Sequence, residues 1–376
     1  MSDFYRRQAL ASELAGRLLK PGLLDEGLRS GLFLVGMRRT GKTTFLRNDL
    51  MPELKSRGAV VVYVDLWSDT RISPANLLHA AVRQSIADLS NPLRRRSHDD
   101  KPKDGATTLA ENLTLLVDQS RADVVLIVDE VIQAMQTDDG NHMLLAIKAA
   151  RDAINTRSST PGHFLLVGSH SQHSILNDLT ARQDQAFAGA TVIPYPLLDR
   201  DYVRHVLGRL SSEEMSALPS EEGAWAAFQA LECRPEEFLR ALRQLHGNQI
   251  PLDPDQQLAT IVRTQRGATA DLALRKVEET GALAEAVFDW IATSSGAEQG
   301  VFSATATAAI CASVGRLVSV EELQLVVHEL IGANLIRRLG HGDYVITDPV
   351  VRDIWRAQSM SEEQRVRTHP DASQPR

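Results

Sequence analysis

Only two cysteines, Cys233 and Cys311, occur among the 376 residues, and they stand far apart. That excludes a disulfide framework and a cysteine-based zinc site, and it reads as a cytoplasmic protein with reduced thiols. No apolar run approaches the length of a membrane span. The opening residues, Met1-Ser2-Asp3-Phe4-Tyr5-Arg6-Arg7, lack the apolar core of a signal peptide. Positive charge is not in excess either: the net charge is −7, so contact with nucleic acid would have to rest on a local patch. What remains is ordinary globular material, 43% hydrophobic and 24% charged, with enough length for about two or three domains.

The strongest positive signal is Gly36-Met37-Arg38-Arg39-Thr40-Gly41-Lys42-Thr43, which fits the phosphate-loop pattern G-x-x-x-x-G-K-[ST]. Leu32-Phe33-Leu34-Val35 leads in as a buried strand, and Thr44-Phe45-Leu46-Arg47 leaves as the start of a helix. Gly36 and Gly41 let the backbone turn and approach an anion closely. The loop amides and the helix N-terminus then point at phosphate oxygens. In this pattern Lys42 reaches the β- and γ-phosphates and Thr43 holds Mg²⁺; the cradle as a whole runs from Gly36 to Thr44. A second signal is Val124-Val125-Leu126-Ile127-Val128-Asp129-Glu130, a fully apolar strand with two acids at its C-terminal end, where open α/β sheets bind ligands. Asp129 takes the metal-binding Walker B place opposite Thr43. Glu130 takes the place of the residue that polarises the attacking water. An acid there points to hydrolysis and away from nucleotide kinases.

In chain order, residues 1–30 read as helix, with Leu10, Leu14, Leu18 and Leu19 at helical spacing; they serve either as a packing helix or as a cover for a base. Pro52 implies a kink or restart in the helix after the loop. Val60–Asp65 is a second strand, and Ile72–Leu89 and Thr107–Ser120 are helices. Between those helices, Arg94-Arg95-Arg96 could touch phosphates, but neighbouring acids favour a solvated loop. Asn141–Thr156 is a helix and Phe164–Val167 a strand that ends at Gly168-Ser169-His170-Ser171-Gln172-His173. Ser169 and His170 are candidates for sensing the γ-phosphate. A metal held by these histidines is rejected, because no third ligand is near in sequence. Thr191-Val192-Ile193 is a last short strand. From 198 to 269 strands vanish, which suits a helical lid; Arg234, Arg240 and Arg243 either reach back to phosphates or form surface ion pairs. Residues 270–358 give three helices and two strands around Gly340-His341-Gly342, a winged helix, and the polar residues from 359 to 376 read as disordered.

The loop, Val128-Asp129-Glu130 with Gln133, Gly168-Ser169, and a terminal winged helix with Tyr344 and Asp348-Pro349 together resemble the archaeal-type ATPases, in the STAND branch of the AAA+-like P-loop ATPases. The resemblance implies a parallel α/β ATPase core (1–197), a helical lid (198–269) and a winged helix (270–358), used as a nucleotide-driven switch. It departs at Gly189-Ala190, where that family often has Gly-Arg, which puts the missing arginine's role in doubt or moves it, for instance to Arg182. It departs again at Cys233-Arg234-Pro235, which stands where the STAND pattern has Gly-x-Pro. Adenine over guanine follows from the resemblance and from the absence of an N-K-x-D motif.

The expected ligands are therefore ATP or ADP with Mg²⁺; the expected catalytic residues are Glu130, Lys42 and Ser169. Three functions stay open: an ATPase whose cycle moves lid and winged helix, a slow switch that signals by partner binding, and a DNA-binding regulator. The third helix of the winged helix, Val320–Leu330, carries three acids and no Lys or Arg. Phosphates would repel it, whereas Arg337, Arg338, His341, Arg352 and Arg356 leave room for a contact through the wing. A protein partner or a second copy of the chain is the other open role for this domain.

Overall fold

The computed structural model describes residues 4–69, 71–90, 108–171, 180, 185–212, 218–247, 253–294, 300–338 and 342–368. The Arg94-Arg95-Arg96 run, Gln172, His173, Arg182 and His341 lie outside them. The chain divides into two compact units, residues 1–214 with 232–238 and residues 215–231 with 239–376.

The first unit begins with α1 (Gln8–Leu19), which buries Ala11, Leu14, Ala15 and Leu18 along one stripe. Next come β1 (Leu32–Val35) and α2 (Lys42–Phe45). The helix then widens into a π-turn over Leu46–Leu50 and restarts as α3 (Met51–Ser56). Pro52 sits in the first turn of α3, where a missing N–H costs least. β2 (Val60–Asp65), α4 (Pro74–Ser90), α5 (Leu109–Ser120) and β3 (Val124–Asp129) follow. A 3₁₀ stretch, Val131–Gln136, leads to α6 (Asp138–Asn155), β4 (Phe164–His170) and β5 (Thr191–Pro194). β4 is longer than its apolar residues announce, because Gly168, Ser169 and His170 continue it, and all seven residues are buried.

These five strands form one parallel sheet in the order β2-β3-β4-β1-β5. Alternation along each strand fills two cores. Phe33, Val62, Leu126, Val128 and Leu166 face Leu78, Leu113, Leu116 and Ile147 of α4, α5 and α6. Leu34, Val125, Ile127 and Val167 face Leu14, Leu18, Phe45, Leu46 and Leu50. The lead-in helix is thus a packing helix. The strand order inserts β4 between the phosphate-loop strand β1 and the acid-bearing strand β3.

Helices α7 (Arg200–Ser212), α8 (Glu221–Ala230), α9 (Pro235–Gly247) and α10 (Pro254–Thr280) make up the expected lid segment. They do not form a unit of their own: α7 belongs to the first unit, α8 and α10 to the second, and α9 begins in one and ends in the other. The expected boundary at 269–270 falls inside α10, an unbroken helix of 27 residues. In the second unit, Ala270, Leu274 and Val277 of α10 share a core with α11 (Ala282–Thr293), α12 (Ala304–Val314) and α13 (Val320–Gly332). The antiparallel hairpin β6 (Ile336–Arg338) and β7 (Tyr344–Ile346) completes a winged helix, with Arg338 opposite Tyr344. Helix α14 (Pro349–Thr368) runs past Ser359, so the expected disordered tail is helical as far as Thr368. Residues 369–376 are outside the described part. Among the described residues, no helix is long and apolar enough to cross a membrane.

Candidate functional site

The expected site residues lie in the loop after β1 (Gly36 to Gly41), in the first turn of α2 (Lys42, Thr43, Thr44) and at the C-terminal ends of β3 and β4 (Asp129, Glu130, Ser169), the edge at which open parallel sheets bind ligands. Gly36 donates its N–H to the His170 carbonyl at 3.1 Å, which ties the start of the loop to the end of β4. Thr40 is buried and donates its hydroxyl to the Met37 carbonyl at 2.8 Å, closing the loop on itself. Arg39 (φ 64°) and Gly41 (φ 94°) take left-handed backbone, which turns the chain into the N-terminus of α2. Met37, Arg38, Arg39, Thr43 and Thr44 are exposed.

Lys42 is buried, and its Nζ donates to the carbonyls of Gly36 at 2.5 Å and Met37 at 2.8 Å. Burial pushes its pKa down, and the charges of Glu130 and Asp129 pull it back up. The ammonium is thus held on loop carbonyls within the field of both acids. Arg38 reaches the Ser171 hydroxyl at 3.4 Å, and its guanidinium lies 5.8 Å from the centre of the half-exposed Trp67 ring.

On the other side of β4, Asp129 is buried, and both its carboxylate oxygens accept hydroxyl donors. Tyr63 donates to Oδ2 at 2.8 Å, and Ser169 donates a short bond to Oδ1. The Tyr63 phenol is pushed well above its ordinary range, by burial first and by the Asp129 charge second. It therefore stays a donor to the carboxylate. The Arg47 guanidinium lies 4.6 Å from the centre of the Tyr63 ring and pairs with Asp65 at 3.3 Å. Glu130 leaves the strand in left-handed backbone (φ 54°), and its N–H donates to the Ser169 hydroxyl oxygen at 3.1 Å. Its carboxylate Oε2 stands 3.1 Å from Nδ1 of the buried His170. Ser169, expected as a γ-phosphate sensor, thus has its hydroxyl engaged between the two acids.

Whether Mg²⁺ fits can be judged from the donors. Mg²⁺ usually takes one or two carboxylates and fills its remaining positions with substrate phosphates and water. A buried Asp129, whose two carboxylate oxygens each accept a hydroxyl donor, and an exposed Thr43 at the start of α2 suit that pattern. The described residues hold no cluster of three His, Cys, Asp or Glu that would bind a metal by protein groups alone.

Sequence reasoning missed Tyr63, Tyr195 and the pairing of His170 with Glu130. Tyr195 follows β5, is buried, and packs its ring 5.6 Å from Phe45. Its hydroxyl donates to the Gly41 carbonyl at 3.4 Å, and its Cβ would stand 3.2 Å from a Cβ placed on Gly36, a tight contact. Arg234 is held by Glu232 and Glu237. The left-handed backbone of Cys233 (φ 53°) explains why a glycine would suit that place.

Residues 26–176 match a family model described as an AAA domain. No curated protein sequence matches the chain. In fold, the chain is similar to the ORC2 protein of Aeropyrum pernix in its ADP form, with a TM-score of 0.59, 14% identity, and 95% of this chain and 96% of that one covered. The ADPNP–ADP complexes of the same protein give a TM-score of 0.56 at 13% identity, over 96% and 98% of the two chains. The Aeropyrum pernix ORC1 protein in complex with DNA aligns over 96% and 95% at 14% identity, but at a TM-score of 0.46. The match to an AAA domain thus covers the part of the chain that holds the loop and both acids, and the similarity in fold extends over the helices and hairpin that follow.

Proposed function

We propose that the chain binds Mg²⁺–ATP at the β1–α2 loop and hydrolyses it, using the cycle as a conformational switch or assembly motor. The observation that carries this is the convergence of Lys42, Asp129 and Glu130 at one edge of the sheet, with a charge interaction between the lysine and both acids. The amides from Gly36 to Thr44 cradle the phosphates. Lys42 turns from its two loop carbonyls to the β- and γ-phosphates. Thr43 and Asp129 would hold the metal, which would supply charge neutralisation at the phosphates. Glu130 takes the proton of the attacking water as the bond between the γ-phosphorus and ADP breaks. Ser169 holds Asp129 and the turn of Glu130 in register. The ADP form of the Aeropyrum pernix ORC2 protein, which is similar in fold, supports an adenine nucleotide here.

A second reading, a slow regulator that binds a partner through the winged helix, is favoured by the surface of α13. Glu321, Leu325 and Glu329 are exposed there. That face suits a basic, partly apolar protein segment better than DNA. Arg352 pairs with Asp353 and Arg356 donates to the Ala292 carbonyl; Arg337 and Arg338 of β6 are exposed. Phosphate release from ATP by the purified chain, with Mg²⁺ and then with a chelator in excess, tests the leading reading. Chelator-sensitive turnover is expected. ATP binding without turnover, with or without duplex DNA or a second copy in excess, would give the place to the regulator.

A further inference from the structure

One buried group that the proposed reaction does not use, His170, touches Glu130. His170 ends β4 beside Val35 of β1, and its side chain is 6% exposed. Its main chain and side chain serve two different parts of the site. The carbonyl accepts the N–H of Gly36, the first residue of the phosphate loop. Nδ1 of the ring faces Glu130 Oε2 at 3.1 Å. The other ring nitrogen, Nε2, is buried without a hydrogen-bond partner.

An ionised carboxylate only accepts hydrogen bonds. The ring nitrogen at 3.1 Å must therefore carry the hydrogen, so Nδ1–H is the donor. In the neutral ring Nε2 is then a bare acceptor. An acceptor left alone in a buried place is tolerated better than an unpaired N–H. The backbone of Glu130 is already turned out of the strand by its left-handed conformation and pinned by its N–H to Ser169. The only freedom left to the acid is in its own side chain, and among the described residues the His170 ring is what that carboxylate meets.

We infer that His170 is the positioning residue of Glu130: the Nδ1–H bond sets the direction of the carboxylate relative to a phosphate loop that the same residue anchors through its carbonyl. One residue thereby ties the acid to the loop, so that a displacement of either is passed to the other. This rests on the reading of Glu130 as the group that accepts the proton of water.

The test uses the full chain in three forms, His170→Ala, His170→Asn and His170→Ala combined with Glu130→Gln, together with the parent and Glu130→Gln. His170→Ala lowers kcat by on the order of 10-fold or more, since misplacing a catalytic group by about 1 Å is costly, while ATP affinity and the melting midpoint hold. His170→Asn, whose amide N–H falls near the Nδ1 position, regains most of that rate. In the Glu130→Gln background, His170→Ala causes no further loss, because it acts only through the acid. Imidazole ¹⁵N resonances of the nucleotide-free protein show the Nδ1–H tautomer at His170, and its shift moves on Glu130→Gln. An additive loss in the double variant, an asparagine variant as slow as the alanine one, or an Nε2–H tautomer would each overturn the inference. If the parent turns over no ATP, the hydrolytic reading fails by itself, and the tautomer and its response to Glu130→Gln alone decide whether the pair exists.

Discussion

Lys42 is where burial and charge oppose each other most openly. It is 5% exposed, yet it is held by two carbonyls that only a donor can satisfy. Burial lowers its pKa, so its charged form is tolerated because Glu130 and Asp129 stand near. Phosphate oxygens would replace the carbonyls as stronger, charged acceptors. Lys42→Ala is therefore expected to weaken ATP binding by on the order of 10²-fold, from the loss of charge-assisted hydrogen bonds worth about 1.5–3 kcal/mol. It should leave the fold intact, because the lysine contributes no packing that the core needs. Calorimetric titration with ATP checks it, and unchanged affinity would contradict the phosphate-loop assignment. At this scale the loop was legible because phosphate chemistry fixes its internal spacing, and Asp129, Glu130 and Ser169 could be singled out because each stands where an apolar strand ends. Tyr63 was not. It lies 66 positions from Asp129 and meets it only through the register of β2 on β3, two places before the Asp65–Asp129 pair. The bond between His170 and Glu130 crosses 40 positions in the same way.

Among the elements, β1 and β3 were readable as apolar runs, since strands buried on both faces have little else in them, and the partly buried edge strands β2 and β5 were readable from their β-branched residues. β4 hid its last three residues. Gly168 is there because a Cβ would stand 2.3 Å from the Phe33 ring, and Ser169 and His170 because the site uses them. The expected boundary between residues 269 and 270 falls inside α10, just after Gly267. A glycine costs a helix interior about 1 kcal/mol, and the burial of Ala270, Leu274 and Val277 just beyond it outweighs that. The start of α13 was legible from its cap. Ser319 accepts the Glu322 N–H at 3.2 Å, and Glu322 accepts the Ser319 N–H at 3.0 Å, a reciprocal box. Ser319→Ala is expected to cost about 1 kcal/mol in the stability of the second unit, read as a lower denaturant midpoint with an unchanged slope. The Glu322 carboxyl is held below its ordinary value by the Ser319 N–H first and Arg316 second. Its share is present above the ordinary glutamate range and lost as the pH falls through the lowered value. A Ser319→Ala variant as stable as the parent would show that the cap contributes nothing.

Over the whole molecule, the AAA domain match ends at residue 176, whereas the fold similarity to the ORC2 protein covers 95% of the chain. The difference has a physical origin. Phosphate handling dictates particular residues, but a winged helix needs only apolar periodicity and caps, which many sequences supply. The net charge of −7 gives no overall attraction to a nucleic acid. If duplex DNA binds, the contact should run through the exposed Arg337 and Arg338. Replacing both with Ala should then lower the salt slope of binding by about two. Gel-shift titrations across a salt series check this, and binding unchanged by the double substitution would remove the wing as the contact.

The central claim is that this edge of the sheet hydrolyses ATP and that Glu130 takes the proton of water. Glu130→Gln keeps the shape and hydrogen bonding of the side chain but removes the charge that accepts the proton. Steady-state phosphate release and equilibrium ATP affinity, measured on one preparation of parent and variant, separate the two steps. The expected result is unchanged affinity, with hydrolysis lowered by on the order of 10²-fold or more, the scale of losing a positioned base. Hydrolysis by Glu130→Gln at the parent rate would contradict the assignment.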